Sequence, residues 1–170
     1  MYFFILLVIG FLLSPPAVIA QPDTAPDPDL PSLEWLGFDK ALKKAEVSGR
    51  AVMVDVYAPW CPWCSKLQTE VYAKGFIREY LNEHFETARL NIDEEENKIS
   101  FMGYELSSAE LASGLGAEGT PTIVFLSSKG EYITRLPGFI EADEFIYVLK
   151  YISDGSFKTE SFKEYRSRQP

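Results

Sequence analysis

The apolar run Val52-Met53-Val54-Asp55-Val56-Tyr57 leads within a few residues into Trp60-Cys61-Pro62-Trp63-Cys64, whose two cysteines are the only ones in the chain. A buried strand that opens onto a C-x-x-C at the mouth of a helix is the arrangement of a fast, reversible dithiol/disulfide switch. Any intramolecular disulfide must join Cys61 to Cys64. The loop it closes is short, and the entropic benefit of a cross-link grows with loop length, so a structural staple is the weaker reading. A zinc half-site would need two more ligands. With one histidine and no further cysteine, that would require a dimer.

The first 20 residues contain no charged side chain. An apolar run over 2–13, Pro15-Pro16, and small or medium residues up to Ala20 read as a secretory signal peptide spanning 1–20. The run is short for a membrane span of about 20 residues. An uncleaved N-terminal membrane anchor is the competing reading, because no Lys or Arg precedes the apolar core. Residues 21–32 are rich in Pro and Asp and read as a linker. The folded domain is expected over 33–154. Residues 155–170 form a C-terminal tail with room for one short helix packed on the domain. The formal net charge of -9 argues against nucleic acid and anionic membranes as partners. The run Asp93-Glu94-Glu95-Glu96 lacks the spacing and glycine of a calcium loop and reads as solvated.

Hydrophobic periodicity predicts a helix over 38–48, with Phe38, Leu42 and Ala45 on one face, and a strand over 51–57. A helix over 61–72 follows, Pro62 suiting its first turn because no backbone donor is needed there. Further helices are expected over 76–84, at 107–114 from a capping box at Ser107 and Glu110, and over 142–151. Strands are expected over 85–91, 122–126 and 132–136, the last two as a hairpin turning at Ser128-Lys129-Gly130. The fold class is α/β, a mixed central sheet with helices on both faces.

These landmarks resemble the thioredoxin superfamily. They are Val54-Asp55 before Ala58-Pro59-Trp60-Cys61-x-x-Cys64, then Arg89-Leu90-Asn91-Ile92-Asp93, Gly119-Thr120-Pro121-Thr122, and Gly138 after the hairpin. The resemblance covers residues 33–153 and is strongest to exported bacterial thioredoxin-related proteins, SoxW-type thioredoxins included. Those share a long segment before the proline and a similar tail. The resemblance implies a thioredoxin fold and a protein-disulfide oxidoreductase, with no cofactor beyond a redox-active Cys61–Cys64 disulfide and no metal.

Cys61 at a helix N-terminus is favoured as thiolate and is the expected nucleophile, with Cys64 resolving the mixed disulfide. An aspartate on a buried strand has a raised pKa, which suits a proton acceptor. The resemblance assigns Asp55 the relay of protons to Cys64. The competing reading places Asp55 on a solvent-facing edge strand. The resemblance also implies a cis bond before Pro121, with the Thr120 backbone pairing to an extended client. Expected client contacts are therefore Trp60, Pro62, Trp63, Thr120, Pro121 and Gly138, although Trp60 could simply cap the core.

Two departures stand out. Arg89 replaces the lysine common near the buried aspartate, and Ser65 the lysine common after the second cysteine. Arg stays charged throughout, so an inward Arg89 would hold Asp55 more acidic. Phe101, Met102 and Tyr104 are candidate partner contacts or core residues.

The expected function is reduction of disulfides in client proteins by an exported, monomeric protein of the bacterial periplasm, recharged by a membrane or soluble thiol electron donor. Alternatives are a periplasmic dithiol oxidase or disulfide isomerase, and a non-enzymatic binding module or chaperone of the same fold.

Overall fold

In the computed structural model, residues 32–94, 96 and 98–169 are described. The expected signal peptide, and the linker up to residue 31, lie outside them. A four-stranded mixed sheet runs in the order β2 (Phe85–Asn91), β1 (Ala51–Tyr57), β5 (Thr122–Leu126), β6 (Tyr132–Pro137). Strand β1 pairs parallel with β2 and antiparallel with β5, which pairs antiparallel with β6. Because β1 is central, its side chains are buried on both faces, hence the near-continuous apolar run.

Alternation along β1 sorts two cores. Val52, Val54 and Val56 face α1 (Phe38–Ser48) and a later helix, with Phe38, Ala41, Ala45 and Leu111 packed on them. Ala41 and Ala45, and not Leu42, are fully buried on α1, whose last turn closes at Gly49 in the left-handed conformation (φ 76°). Met53 faces the opposite core with Leu67, Ile77, Ile123, Phe125, Phe145 and Leu149. Phe125 and Phe145 are fully buried, each contributing roughly 1.5–3 kcal/mol relative to exposure.

The chain after β1 departs from one continuous helix over 61–72. Helix α2 (Pro62–Lys66) continues as a π-helical turn, Leu67–Tyr72. The Ala73 N–H donates to Gln68 O at 3.1 Å, the longer-range bond that defines such a turn. Helix α3 (Gly75–His84) follows. Its last turn is capped by the residue just before β1, where Arg50 Nη1 donates to Asn82 O at 2.9 Å. Arg50 also pairs with the buried Glu86, which takes Lys44 at 3.2 Å as a second cation. A buried carboxylate without such partners would be strongly destabilising.

Between β2 and β5 lies a feature that periodicity does not reveal, a small hairpin of β3 (Ile99–Phe101) and β4 (Tyr104–Leu106). Three-residue strands are too short to display alternation. Helix α4 (Ser108–Gly114) follows with both hydrogen bonds of its capping box formed. Phe101 stacks edge-on against Phe38 and lies beside Gly130 in the β5–β6 turn. The hairpin tip, with Met102 and Tyr104 exposed, therefore sits at the sheet end away from the cysteines.

Helix α5 (Ala142–Ser153) buries Phe145, Val148, Leu149 and Ile152. The tail turns through Gly155 and forms α6 (Phe162–Ser167), held by buried Tyr165 and by Tyr151 against Phe162. No helix among the described residues is long and apolar enough to cross a membrane.

Candidate active site

Cys61 occupies the N-cap of α2, and Pro62 opens the helix where its missing N–H costs nothing. The two cysteines are joined as a disulfide with Cα atoms 5.3 Å apart. Cys61 Sγ accepts a hydrogen bond from the Cys64 N–H at 3.1 Å. That donor is one of the unpaired N–H groups of a helix start, and it would stabilise a thiolate there. The cysteines are shielded almost equally, at 4% and 3% exposure. Ala58, Tyr57 and Ile92 pack around them.

Trp60, by contrast, is 68% exposed and does not cap the core. Trp63, 53% exposed, packs on Phe139 with ring centres 5.6 Å apart. Lys66 Nζ lies 4.4 Å from the Phe139 ring centre and 5.2 Å from that of Trp63. These groups form an aromatic shelf beside the disulfide.

Register brings the second half of the site to the same place. Val56 pairs with Thr122, so the chain entering β5 begins where the chain leaving β1 turns toward Cys61. The Thr120–Pro121 peptide is cis. The Gly138 N–H donates to Pro121 O at 2.8 Å, and Gly138 is left-handed (φ 81°), a conformation that favours glycine. Thr120, Pro121 and Gly138 line an open cleft of about 240 Å³ together with Gly116, Gly119 and Arg135. Arg135, which no sequence pattern singles out, reaches Glu118 at 3.6 Å. A Cβ on Gly116 would overlap its guanidinium.

Asp55 lies on the central strand, wholly buried, and not on a solvent-facing edge. It shares the face of β1 that carries Met53, under the π-helical turn. Its carboxylate accepts three hydrogen bonds from the described residues. Arg89 Nε donates to Oδ2 at 3.0 Å, Gln68 Nε2 to Oδ2 at 3.1 Å, and the Tyr72 hydroxyl to Oδ1 at 3.3 Å. Burial pushes the carboxyl above its usual value, while Arg89 and Tyr72 pull it part of the way back. Burial also holds the Tyr72 hydroxyl well above its usual value, so it stays protonated.

Arg89 points inward, and its guanidinium lies against two aromatic rings. Its guanidinium carbon lies 3.9 Å from the Tyr57 ring centre and 5.2 Å from that of Trp35. Trp35, placed by the Leu36–Ala88 bridge, meets Tyr72 edge-on at 5.3 Å. Gln68, Tyr72 and Trp35 are site residues that sequence reading overlooked. A usable signal exists, since Cys64, Gln68 and Tyr72 recur every four residues and so share a helix face.

A helix-capping disulfide, an exposed aromatic shelf, a cis-proline cleft and a buried carboxylate on one α/β sheet define a thioredoxin-like domain of the thiol–disulfide oxidoreductase type. The thioredoxin-like domain family matches residues 38–153, and the chain belongs to it. Among curated proteins it is similar to the thiol:disulfide interchange protein DsbD of Colwellia psychrerythraea, 31% identical over 117 residues that make up 68% of this chain and 18% of DsbD. The chain thus spans under a fifth of that relative's length. Among solved structures, a Thermus thermophilus thioredoxin is 30% identical with a TM-score of 0.58, over 72% of this chain and 88% of its own. A thioredoxin-fold protein from Helicobacter pylori is 25% identical with a TM-score of 0.59, over 69% and 83% of the two chains.

Proposed function

We propose that this protein is exported and reduces disulfides in client proteins. The observation that carries the reading is the Cys61–Cys64 pair at a helix N-cap, on the strand-to-helix connection that begins at the end of Asp55's strand. In the reduced protein the Cys61 thiolate attacks a client disulfide, forming a Cys61–client bond and releasing one client thiolate. Cys64 gives its proton to Asp55 and attacks Cys61. The internal disulfide forms and the second client sulfur leaves. Two electrons have passed to the client, and an external thiol donor, membrane-bound or soluble, restores the dithiol.

Client contact falls to Trp60, Pro62 and Trp63 on one side, and on the other to the Thr120 backbone, Pro121 and Gly138. An extended client segment pairs with the Thr120 backbone as an added strand. The leader at 1–20 supports export to the periplasm. The hairpin and α4 between β2 and β5, with the helical tail, support placement beside the SoxW-type exported thioredoxins. The protein acts as a monomer.

Equilibration of Cys61/Cys64 with a dithiothreitol or glutathione buffer tests the direction. A midpoint near about -270 mV supports reduction, and one near about -120 mV overturns it in favour of oxidation.

A further inference from the structure

The two oxygens of Asp55 are not equivalent. Oδ2 receives Arg89 Nε and Gln68 Nε2, at 3.0 and 3.1 Å, while among the described residues Oδ1 meets only the Tyr72 hydroxyl, at 3.3 Å. Arginine and the glutamine amide nitrogen can only donate, whereas a tyrosine hydroxyl both donates and accepts. An incoming proton is repelled by the cation at Oδ2 and finds at Oδ1 a partner that can reverse its role. Tyr72 donates to the carboxylate and accepts from the carboxylic acid.

We propose that Asp55 handles its proton at Oδ1 against the Tyr72 hydroxyl while Arg89 and Gln68 clamp Oδ2, so that Tyr72 and Gln68 are positioning residues for the resolving step. The assignment rests on the redox reading above. The π-helical turn is the device that makes it work. Gln68 lies one turn beyond Cys64 on the same helix face, so a side chain reaching Asp55 from there places the carboxylate beneath that face. The wider turn then brings Tyr72 onto the other oxygen. Asp55 is met by Arg89 from β2 and by Gln68 and Tyr72 from the π-helical turn. The neighbouring strand β5 pairs the apolar Ile123 with it.

The Cys64 thiol gives its proton to Oδ1, and the thiolate attacks Cys61 Sγ of the Cys61–client disulfide. The Cys61–Cys64 bond forms as the Cys61–client bond breaks, and the client sulfur leaves with that electron pair as a thiolate. The dithiol loses two electrons and the client disulfide gains them. Oδ1 returns its proton to solvent or to the departing thiolate.

Dithiobis-nitrobenzoate separates the steps, since the reduced protein releases a first coloured thiolate on attack by Cys61 and a second on resolution by Cys64. Tyr72→Phe keeps the ring that packs on Trp35 and Phe145, so the fold is retained. It should slow the second release about tenfold near neutral pH, the rate equivalent of one hydrogen bond to a charged group. It should also raise the midpoint of that phase's pH profile and lower its plateau. Gln68→Leu should raise the midpoint and spare the plateau. Neither should alter the first release, and in an Asp55→Asn background neither should have a further effect.

A second phase slowed by Asp55→Asn but indifferent to Tyr72→Phe overturns the assignment alone. So does a Tyr72→Phe effect that persists undiminished without the carboxylate. A wild-type protein with no second release overturns the redox reading, and the assignment with it.

Discussion

Arg89 stands directly opposite Asp55 in the parallel pairing of β1 with β2, its Nε 3.0 Å from Asp55 Oδ2. The pair joins a wholly buried acid to a cation held against Tyr57 and Trp35, which limits how far burial alone can neutralise the carboxyl. Several consequences of this geometry, and of the site around it, can be measured.

The first concerns stability against pH. Burial holds the folded Asp55 carboxyl above the usual carboxylate range, so the folded state binds its proton more tightly than the unfolded state does. Stability must then fall as pH rises from the unfolded value through the folded one, and the penalty is complete above it. Asp55→Asn removes this titration. Denaturant midpoints of the two proteins should diverge in favour of the variant with rising pH across that window. A difference that shrinks with rising pH would mean that Arg89 outweighs burial.

Gly116 and Arg135 should be coupled. Gly116→Ala places a Cβ at φ 80° and against the guanidinium, at a cost of roughly 1–3 kcal/mol for the backbone conformation alone. Arg135→Ala in that background should recover the steric part and leave the conformational part. Urea midpoints of the two single variants and the double variant check this, and strict additivity would contradict the contact.

Trp60 and Trp63 should separate recognition from stability. Trp60→Ala removes an exposed ring and should leave stability within about 0.5 kcal/mol, while raising KM for a protein disulfide several-fold. Trp63→Ala also strips the contact to Phe139 and the cation above it, and should cost about 1 kcal/mol in addition. Thermal melts alongside insulin-reduction kinetics distinguish the two.

Cys64→Ser should accumulate Cys61-linked mixed disulfides in a periplasmic extract, visible as reductant-sensitive bands, and Cys61→Ser should give none. The reverse pattern would exchange the roles of the two thiols. No adducts with either variant would favour the binding-module reading.

Much of this is legible in the sequence, and the reasons are local. The strand under Asp55 announces itself because a central strand is apolar on both faces, and the capping box of α4 because Ser107 and Glu110 are three residues apart. The π-helical turn escaped because Leu67, Val71 and Tyr72 suit an α-helix equally well. The β3–β4 hairpin escaped because its strands are too short to alternate. Arg135 was silent because a charged residue on an edge strand normally means solvent, and only the glycine across from it turns that position into a cleft wall.

The sequence by itself determined the redox pair, its seat at a helix N-terminus and the order of elements around it, because three-residue spacing, proline geometry and hydrophobic period act between near neighbours. Only the tertiary structure decided the company Asp55 keeps. Tyr72 and Arg89 lie 17 and 34 residues from it, and whether they meet depends on strand register and on a locally widened helix. In a sheet, a register slip of one residue sends every side chain to the other face, so these partners exist only once the whole domain has packed.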